Sequence, residues 1–200
     1  MPIALYSGTM SWARGIETII KGIAHMPAGV HLVIVSVPLP HPMIPKLEAL
    51  AAEHGVADRL HFVGPVSQDQ LLHYLSGADV AVHPLPGGSP NHDAAMPNKL
   101  FEYLHAGLPL VVSDAKLMAE FVTSNGVGRV FTSEDPQSFG EQVGAVLADP
   151  PLELVEEMAA IHSWQAQEQA IVSAYNQLTG FNGSLPEGDV AFGSLEVSPV

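Results

Sequence analysis

The sequence predicts an α/β fold, with a Rossmann-like parallel sheet of about six strands and helices on both faces. Short apolar runs alternate with segments of helical periodicity along residues 1–179, and this alternation is typical of a parallel sheet covered by helices. The longest apolar run, residues 108–113, has the length of a buried strand. Ligands of such sheets bind at the carboxyl ends of the strands, so we expect a site at that edge.

Each element is predicted from a local pattern. The predicted strands are residues 3–6, 31–35, 60–63, 79–83, 109–113 and 128–131. The predicted helices are residues 15–25, 46–54, 67–75, 97–106, 116–124, 135–147, 152–161 and 164–178. Ser67 is a favourable N-cap for the third helix. The 13-residue loop 84–96 is longer than a plain connection needs, which indicates a function.

Composition limits the classes of function. The 200 residues carry 7 basic and 21 acidic side chains, a formal charge of -14, and no cysteine. A nucleic-acid partner is not expected, because it requires a basic face. Residues 1–179 are predicted to form one domain. Residues 180–200 are rich in Gly, Ser and Pro and are predicted to be a disordered tail.

No signal peptide is expected at residues 1–4, because no charged leader precedes a long apolar core. No apolar run approaches about 20 residues, so no membrane span is expected. Without cysteines the chain also suits a reducing compartment. We therefore predict a cytoplasmic protein.

Residues 96–109 are the most informative stretch of the chain. Pro97 marks a helix start and Gly107 a helix stop, with Lys99 and Glu102 between them. A helix start offers free backbone N–H groups and a positive dipole end, which together bind anions. Glu102 lies too deep in the helix to bind that anion, but it can accept hydrogen bonds from neutral hydroxyls. An anion beside hydroxyls describes a nucleotide or a nucleotide sugar.

These residues resemble the C-terminal, donor-binding half of retaining glycosyltransferases of the GT-B fold, family 4 type. The resemblance covers about residues 1–179 and its segments follow the family's order. The segments are Tyr6-Ser7-Gly8-Thr9 with Arg14-Gly15, Leu60-His61-Phe62-Val63-Gly64, Ala78-Asp79-Val80, Pro97 to Tyr103, Ala106-Gly107-Leu108-Pro109, Gly126-Val127-Gly128 and Ser163-Trp164. The segments around residues 78–80 and 97–109 are the most specific at this spacing.

The resemblance implies a donor-binding role for a set of residues. Glu102 would accept hydrogen bonds from the ribose hydroxyls, and Arg14 would grip the donor diphosphate. Backbone N–H groups near the helix start would hold phosphate, and the segment after the third strand would lie along the base. The implied donor-binding residues are Gly8, Thr9, Arg14, Gly64, Val66, Asp93, Pro97, Asn98, Lys99, Leu100 and Glu102.

The chain departs from the family pattern at three points. Thr9 stands where a second diphosphate-binding residue, usually Arg, is expected. Ala94 stands where the first Glu of the family's pair is expected, and a shift of one residue would let the neighbouring Asp93 reach the sugar. The acceptor-binding half, which commonly supplies a catalytic histidine, is not part of these 200 residues, so no catalytic residue is assigned.

Two functions remain open at this point. The first is the donor half of a glycosyltransferase, incomplete and inactive alone, that works with an N-terminal acceptor-binding domain in cis or in trans. The second is a non-catalytic nucleotide-sugar-binding or assembly module of the same fold, suggested by Thr9 and Ala94. The resemblance implies no cofactor and no metal, so we expect neither. His83, His92 and Asp93 flank one loop, but they lack the spacing of a metal motif.

A smaller alternative concerns Ser113 and Asp114. Both follow the fifth predicted strand, where a side chain could touch the sugar. They could equally cap the next helix, since short polar side chains bond nearby backbone groups. We predict the cap.

Overall fold

The computed structural model describes residues 1–179 and confirms the predicted α/β fold. Its sheet contains β1 (Ile3–Gly8), β2 (His31–Ser36), β3 (Leu60–Val63), β4 (Val80–His83), β5 (Leu110–Ser113) and β6 (Gly128–Phe131). Within these described residues the six strands are all parallel and lie in the order β3-β2-β1-β4-β5-β6.

Helices connect the strands, and three more helices follow β6 along the described chain. They are α1 (Ile16–Gly22), α2 (Ile44–Glu53), α3 (Leu71–Leu75), α4 (Pro90–Asp93), α5 (Asn98–His105), α6 (Lys116–Asn125), α7 (Pro136–Ala148), α8 (Leu152–Ile161) and α9 (Trp164–Thr179). Short 3₁₀ helices occupy Trp12–Arg14, Ile23–His25 and Ala57–Arg59.

The structure differs from the prediction at one helix start and in one loop. Ser67 does not cap α3, because residues 67–71 form tight turns in which the Gln70 N–H donates to the Ser67 carbonyl at 3.1 Å. The loop 84–96 contains α4, which begins because the Ser89 hydroxyl accepts from the His92 N–H at 3.2 Å.

Two apolar clusters cover the two faces of the sheet. Side chains of α1, α2 and α7 pack on one face against Ala4, Tyr6 and their neighbours. Side chains of α5, α6 and α8 pack on the other face against Leu5, Val112 and their neighbours. Successive strand residues point to opposite faces, so both faces of the central strands are buried, as the apolar runs predicted.

The strand order places β1 next to β4 at the centre of the sheet. The connections after these two strands lead toward opposite edges, so a crevice opens between their carboxyl ends. β1 ends at Gly8 and β4 ends at His83. These residues therefore mark the place where a ligand is expected.

The chain divides into a body of Met1–Ser163 and a second unit that begins at Trp164. α9 is the described part of the second unit. In the described part of the chain, no helix has the length and apolarity needed to cross a membrane. The predicted tail at residues 180–200 lies outside the described residues and stays a prediction.

Candidate functional site

Two neighbouring cavities open at the carboxyl ends of β1 and β4. The first cavity has a volume of about 320 Å³, and its walls include Tyr6, Gly8, Thr9, Arg14, His83 and Lys99. The second cavity has a volume of about 410 Å³, and its walls include Ser11, Arg14, His83, Asn91, His92 and Pro97. Arg14 and His83 belong to both, so the two cavities are parts of one cleft.

Arg14 reaches the cleft because of the residue that follows it. Gly15 has a φ of +71°, and a Cβ there would lie 2.2 Å from the Pro84 carbonyl oxygen. Only glycine fits such a close approach at a positive φ. This contact holds the first loop, residues 9–15, against the end of β4. Arg14 is exposed, yet its charge acts on Tyr6 and His83 beneath it.

Lys99 crosses the cleft from the other side. Gly8 has a φ of +132°, and a Cβ there would lie 3.5 Å from Lys99 Cε, so the lysine stem lies over the end of β1. Its Nζ donates to Glu102 Oε2 at 2.8 Å, with the two side chains 30% and 25% exposed. The pair is an i,i+3 contact on the first turns of α5, which places a cation in the cleft and a carboxylate behind it.

α5 is fixed to the sheet by its apolar face. Leu100, Tyr103 and Leu104 are buried, which is the i, i+3, i+4 spacing of one helix face. The Tyr103 hydroxyl accepts from the Ser7 N–H at 2.9 Å. Burial raises the pKa of this hydroxyl, so it stays protonated. From the sequence, Tyr103 was named only as part of the family segment that runs from Pro97.

The start of α5 offers fewer donors than the sequence suggested. The Leu100 N–H donates to the Pro97 carbonyl at 3.1 Å, and the Leu100 side chain is in the core. Among the described residues, no backbone acceptor bonds the N–H groups of Asn98 and Lys99. Two predicted backbone donors are therefore available, and the third is already used.

Asp93 is held away from the cleft by backbone contacts. Its Oδ1 accepts from the Gly88 N–H at 3.1 Å and from the Lys116 N–H at 3.4 Å. His92 Nδ1 lies 2.8 Å from the Pro86 carbonyl oxygen. In residues 1–179 these side chains and His83 do not form a cluster of possible metal ligands.

The segment after β3 lies at a distance along the sheet. β3 is separated from β1 by β2, a Cβ on Gly64 would lie 3.5 Å from Leu39, and Val66 packs against the second apolar cluster. The structure therefore gathers Gly8, Thr9, Arg14, Pro97 and Lys99 around the cleft. The walls of the two cavities do not include the other predicted residues, Gly64, Val66, Asp93, Asn98, Leu100 and Glu102.

Ser113 and Asp114 do not cap α6, contrary to the prediction. Ser113 Oγ donates to the Leu85 carbonyl, and Asp114 Oδ1 accepts from Ser133 Oγ. Ala115 precedes α6 and provides no side-chain cap. The two polar side chains instead tie the loop after β4 and the loop after β6 to the end of β5, which the sequence pattern alone did not show.

The sequence indicated His83 only as a possible metal ligand beside His92 and Asp93, and not as a residue of the donor site. His83 ends a strand that is otherwise apolar, and it is only 3% exposed. Its ring stacks on Tyr6 with centroids 6.2 Å apart. Burial first, and then the charges of Arg14 and Lys99, lower the pKa of His83 to about 4. The signal available in the sequence was a histidine at the carboxyl end of a buried strand.

Comparison with curated proteins finds relatives that are glycosyltransferases. D-inositol 3-phosphate glycosyltransferase of Xylanimonas cellulosilytica is 27% identical over 149 residues, which are 74% of this chain and 34% of that protein. The chain thus spans about a third of the length of the curated relatives it matches.

Solved structures share the fold. A sucrose-phosphate synthase from Thermosynechococcus elongatus matches with a TM-score of 0.73 and 25% identity, covering 90% of this chain and 46% of that chain. Anabaena Alr3699/HepE, solved in complex with UDP and glucose, matches with a TM-score of 0.69 and 17% identity, covering 86% of this chain and 48% of that chain.

A match to a family of known proteins covers most of the body formed by Met1–Ser163. Residues 1–149 match the family described as glycosyl transferases group 1, and the structural neighbours are glycosyltransferases of the GT-B fold. The six-stranded parallel sheet agrees with that family's architecture. This chain belongs to the family of glycosyl transferases group 1.

Proposed function

We propose that this chain is the C-terminal, donor-binding half of a retaining glycosyltransferase of the family 4 type and that it binds a nucleotide diphosphate sugar. One observation carries the proposal. Arg14 and Lys99 line one cleft, and the amides of Asn98 and Lys99 at the start of α5 have no backbone acceptor among the described residues, in a chain whose formal charge is -14. Positive groups concentrated at one place in an acidic protein favour an anionic ligand there.

The cleft fits the chemistry of sugar transfer. When the bond between the sugar and the diphosphate breaks, negative charge develops on the diphosphate. Fixed cations and helix-start amides stabilise such charge without reorganising. We propose that Arg14, Lys99 and the α5 amides perform this role in place of a divalent metal. EDTA should then leave the affinity for the donor unchanged.

Glu102 would receive the ribose. Its Oε2 accepts from Lys99, which lines the first cavity, and Oε1 is a further acceptor. A nucleotide would exchange part of this ion pair for ribose hydroxyls. The Anabaena structure with UDP and glucose supports a nucleotide-sugar donor for this fold, and the acceptor would bind a separate N-terminal domain.

Titration calorimetry against UDP-, GDP- and ADP-sugars tests the proposal. Arg14→Ala should weaken donor binding by about 10-fold to over 100-fold, since a charge-assisted hydrogen bond contributes about 1.5–3 kcal/mol. Arg129→Ala is the matched control, because it removes the same charge from an exposed residue of β6 and should change nothing.

Glu102→Ala separates the two parts of the donor. It should weaken nucleotide binding similarly but leave inorganic pyrophosphate binding unchanged or slightly stronger, because it releases Lys99. Glu120→Ala, an exposed carboxylate on α6, is its control. An equal affinity of wild type and both site variants for every nucleotide would refute the proposal. Absence of any nucleotide binding would favour a non-catalytic assembly module.

A further inference from the structure

His83 lies at the centre of the cleft described above. It ends β4, next to the end of β1, and it forms a wall common to both cavities. Its side chain is only 3% exposed. The residue thus stands between the space beside Lys99 and Gly8 and the space beside Asn91 and His92.

The two ring nitrogens of His83 have no hydrogen-bond partner. In the described part of the chain they are the only buried side-chain nitrogen or oxygen atoms in this condition. Other histidines differ: His92 Nδ1 lies 2.8 Å from the Pro86 carbonyl oxygen, and His105 Nδ1 lies 2.7 Å from the Phe101 carbonyl oxygen. A buried polar group without a partner is destabilising, and at a cavity wall its missing partners can be ligand atoms.

The surroundings of His83 define its hydrogen-bonding capacity. Arg14 and Lys99 are the charged groups that act on it, and the stacked Tyr6 is uncharged because burial raises the pKa of its hydroxyl. Burial and the two cations lower the pKa of His83 to about 4. The ring is therefore neutral near pH 7, with one N–H donor and one nitrogen lone pair.

The two cavities differ in what they can hold. The first cavity contains both Arg14 and Lys99, so it suits phosphate oxygens. The second cavity shares Arg14 but not Lys99, and Ser11, Asn91 and His92 add polar side chains beside Pro97, so it suits a group with hydroxyls. A neutral imidazole between them can donate to an anionic oxygen on one side and accept from a hydroxyl on the other.

We propose that His83 is a donor-binding residue that contacts the nucleotide sugar where the diphosphate joins the sugar. Its N–H donates to a phosphate oxygen in the first cavity, and its other ring nitrogen accepts from a sugar hydroxyl in the second. This inference rests on the proposed function and adds a specificity: His83 distinguishes a nucleotide sugar from the bare nucleoside diphosphate. Arg14 and Lys99 can only donate to a hydroxyl oxygen, as they donate to a phosphate oxygen, whereas His83 can also accept from a hydroxyl.

Calorimetry of His83→Phe with matched ligand pairs tests the inference. The probes are UDP with UDP-glucose, GDP with GDP-mannose, and ADP with ADP-glucose. For the pair that wild type binds, the nucleoside diphosphate should lose about tenfold or more in affinity. The nucleotide sugar should lose a further threefold to tenfold, because a second hydrogen bond is removed. His105→Phe, an exposed position on the last turn of α5, is the control and should change neither ligand.

Thermal unfolding without ligand separates binding from structure. His83 has no hydrogen bond to lose, so His83→Phe should keep or raise the Tm. His83→Asn and His83→Gln place an amide near Nδ1 and Nε2 respectively, and one of them should recover part of the affinity. A lowered Tm in all three variants would assign His83 a structural role and overturn the inference.

The remaining outcomes also discriminate. If wild type binds a nucleotide sugar and His83→Phe binds both members of the pair unchanged, or loses both equally, the inference fails while the proposed function stands. If wild type binds none of the six ligands, the proposed function fails and the inference fails with it.

Discussion

The two sides of the cleft are built in different ways. On one side, α5 is fixed by three buried side chains and by the hydrogen bond from Ser7 to Tyr103. On the other side, the first loop carries Arg14 in an exposed position and meets the end of β4 through Gly15. The helix side is held by apolar burial, whereas the loop side is held by one close backbone contact.

The two cations differ accordingly. Lys99 is paired with Glu102 at 2.8 Å, so its charge is partly neutralised where it stands. Across residues 1–179, no carboxylate lies within ion-pair distance of Arg14. The fixed side thus offers oriented donors, and the loop side offers the uncompensated charge. A ligand that needs both would bind only while the Gly15 contact keeps the loop in place.

Breaking the Gly15 contact should have the largest effect. Gly15→Ala should lower the free energy of unfolding by about 3–5 kcal/mol, because a positive φ and a Cβ contact at 2.2 Å with the Pro84 oxygen both oppose it. Urea unfolding measures this loss. Gly29→Ala is the control: its φ is +85° and no atom lies within 4 Å of the new Cβ, so only about 1–2 kcal/mol should be lost. Equal losses in the two variants would contradict the role given to the contact.

Protonating His83, which lies between the two sides of the cleft, should have the next largest effect on the free energy of unfolding. The pKa of His83 falls from 6.5 to about 4 on folding, so the unfolded chain binds the proton first as pH decreases. The stabilisation is complete above pH 6.5 and is lost progressively as pH falls toward 4, by about 3 kcal/mol in all.

The difference between wild type and His83→Phe isolates this effect. Unfolding free energies measured from pH 7 to pH 4 should decrease more steeply for wild type, since the other histidines are common to both proteins. Parallel curves would show that His83 does not stay neutral between Arg14 and Lys99.

Removing the hydrogen bond between Ser7 and Tyr103 on the helix side should have the smallest of the three effects on the free energy of unfolding. Tyr103→Phe leaves the buried Ser7 N–H without its acceptor and should lower the free energy of unfolding by about 1–3 kcal/mol. Tyr74→Phe removes a hydroxyl from a residue that is 39% exposed and should stay within about 0.5 kcal/mol of wild type. If the two variants matched, apolar packing alone would hold α5 in place.

Much of the fold could be predicted because its signals are local. Asp135 and Pro136 open α7, where Asp135 Oδ1 accepts from the N–H groups of Gln137 and Ser138 at 3.0 Å, as that pair of residues predicts. The six strands followed from apolar runs. Ser67 was wrongly predicted as an N-cap because serine also favours turns, and residues 67–71 form turns before α3 begins.

The candidate site was only partly predictable, because its geometry depends on contacts distant in sequence. Arg14 and Lys99 could be singled out as cations beside glycine or a helix start. Asp93 could not be placed, since its oxygen is bonded to Gly88 and Lys116 across the loop. His83 could not be recognised as unpartnered, since an absent hydrogen bond leaves no trace in a sequence.

The sequence by itself determined the alternation of strands and helices and the edge of the sheet at which polar residues collect, because periodicity, proline and glycine act over a few residues. Only the tertiary structure decided which residues meet at that edge. The order of the strands sets β1 beside β4, and the Gly15 contact brings Arg14 over His83. Burial and charge then depend on those neighbours, which are far apart along the chain.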